Sequence, residues 1–213
     1  MALILVIGAS RGIGLKTVEA ALAAGHDVRA FARSAPTIPV SHPKLTKVVG
    51  DALNPDSVAT AVQGVDAVVQ SISASSLPEL VFGTTLFSSA TRIMVSAMEE
   101  AGVRRLIMVT GAGAGNSRGR ITFLYDNFVF PLVLQRVYDD KDIAEEIVIK
   151  SRLDWTIARP GGLTSRPASN RYKVLTELKD WRGGFISRAD VANFMIEHIA
   201  DTSLFGKTPL LID

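Results

Sequence analysis

A glycine-rich turn between an apolar run and a helical stretch is the feature that most restricts how this chain can fold. Leu3–Ile7 contains only β-branched and aliphatic residues, which is typical of a strand buried on both faces of a parallel sheet. The run ends at the turn Gly8-Ala9-Ser10-Arg11-Gly12-Ile13-Gly14, and a helical stretch, Leu15–Ala24, follows. A strand, a glycine turn and a helix in this order predict the first unit of a dinucleotide-binding sheet.

The three glycines of the turn have separate roles in such a unit. Gly8 permits the tight turn after the strand, Gly12 lets the backbone approach a diphosphate, and Gly14 lets the helix pack close to the sheet. The helix start then offers N–H groups and the positive end of the helix dipole to the phosphates. The alternative is a glycine turn that binds no ligand. The predicted ligands in this turn are Gly8, Ser10, Arg11, Gly12, Ile13 and Gly14.

Strands and helices alternate along the rest of the chain, which predicts an α/β fold with a doubly wound parallel sheet. The predicted strands are Leu3–Ile7, Asp27–Ala32, Leu45–Val49, Asp66–Ser71, Arg105–Thr110, Trp155–Ala158 and a final edge strand, Pro209–Ile212. The predicted helices are Leu15–Ala24, Asn54–Gln63, Thr84–Ala101, Val137–Lys150 and Ser187–Ala200. We expect a single Rossmann-type domain over residues 1–213, with substrate-side loops at 111–136 and 161–187.

Composition excludes several classes of site. The chain has no cysteine, which rules out disulfides, thiolate nucleophiles and Cys-ligated metals, and its three histidines follow no metal-ligand spacing. The net charge is +2, and no block of charge indicates a nucleic acid or a membrane as a partner. Met1–Ile7 is too short for a signal peptide, and no apolar run approaches the roughly 20 residues that span a bilayer. We therefore expect a cytoplasmic protein without a metal.

The end of the second predicted strand indicates which dinucleotide is bound. NAD-specific sites usually place a carboxylate there for the ribose 2′-hydroxyl. This strand instead runs into Arg33-Ser34, and a guanidinium suits a 2′-phosphate by charge and by geometry. Arg11 could hold the same phosphate from the other side, although both arginines could also be ordinary solvent-exposed residues. The sequence favours NADPH over NADH, with NAD still possible.

Further cofactor ligands are expected where other strands end, because open α/β sheets bind ligands at the carboxyl ends of their strands. Asp51 and Ala52 follow the third strand and are expected beside the adenine. Thr110 and Gly111 follow the fifth strand and are expected near the nicotinamide. The ribose and diphosphate are assigned to Ser71, Ile72 and Ser73. The alternative for each is a polar loop residue without a ligand.

The glycine turn resembles the cofactor loop of short-chain dehydrogenases/reductases. Three later segments resemble the atypical branch of that superfamily, which includes NmrA-like proteins and the biliverdin-IXβ/flavin reductases: Gly50-Asp51, Leu153–Gly161 with its Arg159-Pro160-Gly161 ending, and Ile186–Ala192. The resemblance covers essentially the whole chain and implies an NAD(P)-binding fold with strand order 3-2-1-4-5-6-7. It also places the residues after the sixth strand at the cofactor pocket: Pro160, Gly161, Gly162 and Leu163.

The sequence departs from the acid–base machinery of that superfamily. Many members use a Tyr-x-x-x-Lys pair for proton transfer, and no tyrosine here has a lysine four residues later. Tyr138 and Lys141 are three apart and share a helix face, which makes them the candidate catalytic residues. The alternative is that Tyr138 packs in the protein while Lys141 is a solvated surface lysine. Gly161 and Gly162 stand where the flavin reductases have a histidine, and Thr110 replaces the usual active-site serine.

These features predict an NADPH-dependent oxidoreductase that transfers hydride to a flavin or a quinone-like small molecule. Such acceptors need mainly proximity and orientation from the protein, whereas a ketone also needs a proton donor. The apolar segment 123–131 could form a wall for the acceptor, a packed helix or a dimer contact. A non-catalytic dinucleotide sensor of NmrA type is the alternative, and a sugar-nucleotide epimerase or dehydratase fits less well. The protein is expected as a monomer or homodimer, with Arg188 and Asp190 serving the fold.

Overall fold

The computed structural model describes residues 1–73, 84–115 and 135–213. Its main feature is an eight-stranded sheet with the order β3-β2-β1-β4-β5-β6-β10-β8. Seven strands follow the predicted order, and all of these pair in parallel. The strands of this sheet are β1 (Leu3–Ile7), β2 (Asp27–Ala32), β3 (Leu45–Val49), β4 (Ala67–Gln70), β5 (Arg105–Val109), β6 (Asp154–Pro160), β8 (Lys173–Leu175) and β10 (Leu210–Ile212).

The sheet differs from the prediction at one edge. β10 was expected to be the edge strand, and this expectation was wrong, because β10 pairs with β6 on one side and with β8 on the other. β8 is antiparallel and was not predicted. Burial on both sides explains why all three residues of β10, Leu210–Ile212, are apolar and buried.

Five α-helices lie within the described residues: α1 (Gly12–Ala23), α2 (Pro55–Val62), α3 (Leu86–Ala101), α4 (Gln135–Ile149) and α5 (Arg188–Glu197). Side chains alternate along β1, so that Ile4 and Val6 join a core with α1 and α5, while Leu5 and Ile7 join a second core with α2, α3 and α4. The continuous apolar run of β1 follows from this burial on both faces, which confirms the doubly wound architecture.

A small two-stranded sheet is formed by β7 (Gly162–Thr164) and β9 (Phe185–Ser187), which pair in parallel. The Ser187 hydroxyl then caps α5, since it accepts from the Asp190 N–H at 2.9 Å. The Asp190 carboxylate accepts from the N–H groups of Ser169 and Asn170 at 2.8 to 3.1 Å. Asp190 therefore fastens the segment before β8 to the last helix.

Two kinds of feature are absent from the described residues. No helix within residues 1–73, 84–115 and 135–213 has both the length and the hydropathy needed to cross a membrane. In the same part of the chain, no three histidine, aspartate or glutamate side chains are grouped closely enough to hold a metal ion.

Candidate functional site

A groove of about 390 Å³ runs along the carboxyl ends of β1, β2, β3 and β4. These ends meet at one edge of the sheet because the four strands are parallel. Ten of the residues predicted to bind the cofactor line this groove: Gly8, Ser10, Arg11, Arg33, Ser34, Asp51, Ala52, Ser71, Ile72 and Ser73. Six further residues that line it were not predicted: Ile7, Phe31, Ala32, Gly50, Leu53 and Leu86.

The glycine turn leaves no room for side chains on its inner side. A Cβ at Gly8 would lie 2.5 Å from the Ser71 carbonyl oxygen, and a Cβ at Gly14 would overlap the Gly8 carbonyl group. Gly12 differs, because it has φ +58° and no atom within 4 Å of the position where its Cβ would be. The first turn of α1 therefore packs tightly on the end of β1, while the backbone at Gly12 is open to a ligand.

Two arginines, Arg11 and Arg33, line the groove. Arg11 lies at the start of α1, whose first turn contains no acidic residue, and Arg33 follows β2. Both side chains are exposed and line the groove. The helix start adds its own positive dipole end. A glycine cradle with two guanidinium groups fits a phosphate-rich dinucleotide by shape and by charge.

The wall of the groove near β3 depends on a glycine that sequence reasoning did not assign. A Cβ at Gly50 would lie within 2.5 Å of the Phe31 ring, which is buried at the end of β2. The next residue, Asp51, accepts from the Leu53 N–H at 3.0 Å and so holds the turn after β3. Gly50 thus leaves room for the Phe31 ring, which lines the groove. The sequence signal for this contact was the large apolar Phe31 near the end of β2, together with a glycine, Gly50, directly after β3.

A second cavity of about 380 Å³ lies at the ends of β6, β7 and β9. Five predicted residues line it: Tyr138, Pro160, Gly161, Gly162 and Leu163. Five others were predicted only as parts of the substrate-side loops 111–136 and 161–187: Ala112, Arg182, Gly183, Gly184 and Phe185. Phe185 is 67% exposed, which is unusual for a large aromatic side chain and is visible only in the structure.

Tyr138 and Lys141 lie on the face of α4 that packs toward the end of β5. A Cβ at Gly111 would lie 2.8 Å from the Tyr138 hydroxyl. The Lys141 Nζ donates to the Thr110 carbonyl oxygen at 2.8 Å and lies 4.6 Å from the centre of the Tyr138 ring. Burial lowers the pKa of Lys141 to about 8, and the Glu145 carboxylate opposes that change. The alternative of a solvated surface lysine was therefore wrong.

Beneath this pair lies a buried ionic network that sequence reasoning missed. The Glu145 carboxylate accepts from the Thr110 hydroxyl at 2.6 Å. It also binds the Arg159 guanidinium, with N–O distances of 3.1 and 2.5 Å. The side chains of Glu145 and Arg159 are each only 3% exposed. The Arg159 guanidinium is therefore held inside the protein by Glu145.

The predicted site residues thus lie in three places: at or next to the groove, at the second cavity, and in the protein interior. Gly12, Ile13 and Gly14 form the first turn of α1, next to the groove, and Gly111 contacts the Tyr138 side of the second cavity. Thr110 is buried, and its hydroxyl and carbonyl groups are bound by Glu145 and Lys141. The apolar segment predicted as an acceptor wall, 123–131, lies outside the described residues.

Comparison with known proteins gives the family of the chain. The profile of the NAD(P)H-binding family matches residues 8–202. A 3-beta-hydroxysteroid dehydrogenase of Mycolicibacterium neoaurum is 37% identical over 49% of this chain and 30% of its own length. The uncharacterized sugar epimerase YhfK of Bacillus subtilis is 32% identical over 67% of this chain and 61% of its own length. The chain thus spans less than two thirds of either relative.

Among solved structures, ChuY of Escherichia coli O157:H7, described as an anaerobillin reductase, superposes with a TM-score of 0.82. It is 27% identical and is matched over 99% of this chain and 96% of its own chain. The similarity thus includes both the glycine turn and the segments around the second cavity. This chain belongs to the NAD(P)H-binding family, and its structural neighbours are atypical short-chain dehydrogenases/reductases.

Proposed function

We propose that this protein is an NADPH-dependent reductase of a flat, conjugated small molecule such as a flavin or a quinone. The observation that carries the proposal is the pair of cavities at one edge of the sheet. The groove is lined by residues of the glycine turn and by Arg11 and Arg33. The second cavity is lined mainly by glycines, together with Pro160, Leu163 and Phe185. The first suits a dinucleotide, and the second suits a flat apolar acceptor.

The reaction that we propose is NADPH + H⁺ + acceptor → NADP⁺ + reduced acceptor, in which two electrons are transferred. NADPH, when bound, supplies the hydride. The protein binds the phosphates with the glycine turn and Arg33, and it holds the acceptor against the walls of the second cavity. Its main contribution is to orient two bound rings and to exclude water between them, as proximity alone can lower a barrier by several kcal/mol.

The Tyr138 hydroxyl is the proposed proton donor, because Tyr138 is the tyrosine that lines the second cavity. Lys141 acts through Tyr138 and is a positioning residue. Its ammonium group contacts the face of the Tyr138 ring, and its bond to Thr110 fixes α4 against the end of β5. A positive charge so close to a phenol favours the tyrosinate and eases release of the proton.

The preference for NADPH is assigned to Arg33. We expect Arg33→Ala to raise the KM for NADPH about 10- to 100-fold, the loss typical of one charge-assisted contact with a phosphate. The KM for NADH should change little, because NADH has no 2′-phosphate. The measurement is oxidation of each cofactor, followed by its absorbance, with FMN or a simple quinone as the acceptor.

The control for this experiment is Arg92→Ala, which removes an exposed arginine from α3 without touching the groove. Steady NADPH oxidation that weakens only in the Arg33 variant supports both the reductase and the phosphate assignment. Equal losses with NADPH and NADH would contradict the assignment of Arg33 to the 2′-phosphate.

The rate of reduction should depend on pH through Lys141. Below about pH 8 the buried ammonium is protonated and stabilises the tyrosinate form of Tyr138. As the pH rises through 8, Lys141 loses its proton and kcat should fall. Measured between pH 6.5 and 9.5, Lys141→Met should be slow throughout and should lack this limb. A flat profile in the wild-type protein, or the same limb in the variant, would refute the role of Lys141.

A non-catalytic dinucleotide sensor is the second candidate. It is favoured by the Thr110 hydroxyl, which occupies the place of the usual active-site serine but donates to buried Glu145. That hydroxyl therefore does not reach an acceptor. Tight NADPH binding without oxidation by any flavin or quinone would identify the sensor.

A further inference from the structure

We propose that the second cavity selects flat acceptors that carry an anionic group, and that Arg182 is the residue that recognises this group. The inference rests on the proposed reductase function and adds the charge of the substrate to it. It is carried by three features of the cavity: an exposed aromatic wall, a single charged side chain among the described lining residues, and a buried anchor beside that side chain.

The aromatic wall is Phe185, the first residue of β9. Pairing of β7 with β9 places it opposite Gly162. A Cβ on Gly162 would lie 2.6 Å from Cδ1 and 2.8 Å from Cε1 of the Phe185 ring, so the ring rests on bare backbone. With 67% of Phe185 and 39% of Leu163 exposed, the cavity presents apolar surface that a flat ring system can cover.

Arg182 gives this apolar cavity its charge. The ten described residues that line it include Arg182 and no other charged side chain. Its guanidinium is exposed at the rim and donates to the Asp180 carbonyl oxygen at 3.2 Å. No lining carboxylate among these residues competes for it. A guanidinium beside an apolar wall is suited to a carboxylate or phosphate that extends from a flat ring.

The neighbouring residue fixes the place of Arg182. Trp181 is buried, and its indole N–H donates to the Leu175 carbonyl oxygen at 2.9 Å. The Trp181 ring also lies 5.4 Å from the guanidinium carbon of Arg159, whose partner is Glu145. The backbone at position 182 is therefore anchored both to β8 and to the buried network under Tyr138. This anchoring keeps the positive charge at the rim of the same cavity that Tyr138 lines.

FMN and riboflavin form a matched pair for the test, because they share one ring system and differ by a phosphate. Affinity is measured by quenching of flavin fluorescence in saturating NADP⁺, which keeps the flavins out of the dinucleotide groove. Turnover is measured by NADPH oxidation. We expect the wild-type protein to bind FMN about tenfold more tightly than riboflavin, the effect of one charge-assisted contact at an exposed site. Raising the salt concentration should reduce this advantage.

Arg182→Gln should abolish the preference for FMN and leave riboflavin binding unchanged. Arg171→Gln, which removes an exposed arginine outside the cavity, should keep the preference. Equal affinity of the wild-type protein for both flavins, or a preference that survives Arg182→Gln, would overturn the proposal. Arg182-dependent binding of FMN without NADPH oxidation would support the anion site and overturn the reductase function, so the two failures are distinguishable.

Discussion

Glu145→Ala is expected to lower the free energy of unfolding by about 3–5 kcal/mol, because it removes the buried carboxylate that pairs with the guanidinium of Arg159. Both side chains are 3% exposed, so water cannot replace the lost carboxylate. The Thr110 hydroxyl loses its acceptor at the same time. Urea unfolding followed by circular dichroism measures the change.

Two further variants test whether the loss of stability in Glu145→Ala comes from the buried charge. Glu146→Ala removes the adjacent carboxylate, whose ion pair with Lys150 is exposed, and should cost less than about 1 kcal/mol. The double variant Glu145→Leu/Arg159→Met replaces the pair by apolar side chains and should recover most of the stability. A loss below about 1 kcal/mol in Glu145→Ala would show that Arg159 is solvated or has a second counter-charge.

The parts of the fold that the sequence predicts well are those decided by local patterns. The buried parallel strand β1 is a continuous apolar run, because both of its faces are covered by helices. The glycine turn and the Asn54-Pro55 helix start depend only on neighbouring residues. The Asn54 side chain caps α2, since it accepts from the Ser57 N–H at 2.9 Å. These local rules were sufficient for the position of the groove, whereas the strand order followed from the resemblance to the short-chain dehydrogenases/reductases.

The antiparallel strand β8 shows where local patterns fail. Lys173–Leu175 is only three residues long, begins with an exposed lysine and has no clear alternation. It becomes a strand because β10 offers an unpaired edge beside it. This pairing joins residues more than thirty positions apart in the chain. The wrong prediction that β10 is the edge strand has the same cause, because it followed from missing β8.

The buried network of the candidate site could be predicted only in part. Arg159 follows the apolar residues Ile157 and Ala158 in β6, and a buried arginine requires a carboxylate nearby. That requirement was readable from the sequence, but the choice of Glu145 depends on how α4 docks against β6. The same docking decides that Lys141 is bound to Thr110 and not to water. Helix periodicity places Tyr138, Lys141 and Glu145 on one face without saying which part of the sheet that face meets.

Gly14→Ala is expected to have the largest effect on cofactor binding. The added Cβ would overlap the Gly8 carbonyl group and lie 3.2 Å from the Cα of Ala9. Neither the Gly8 carbonyl nor the Ala9 Cα can move away without changing the turn, because both belong to its backbone. Overpacking of this kind costs about 1–3 kcal/mol, and it moves the start of α1 away from β1. NADPH affinity, measured by fluorescence titration, should fall by about 100-fold or more, since phosphate binding depends on the placement of these N–H groups.

Gly25→Ala is the matched control, because it changes a glycine at the other end of the same helix. Gly25 has φ +83° and open space around it, so alanine there should cost about 1–2 kcal/mol of backbone strain. That loss of stability is comparable to the one expected at Gly14, but it occurs far from the groove. NADPH affinity should therefore be unchanged in Gly25→Ala. If both variants lose affinity in proportion to their loss of stability, the close approach of α1 to β1 has no specific role in binding. If only Gly14→Ala loses affinity, the cofactor is held by the geometry of the turn itself.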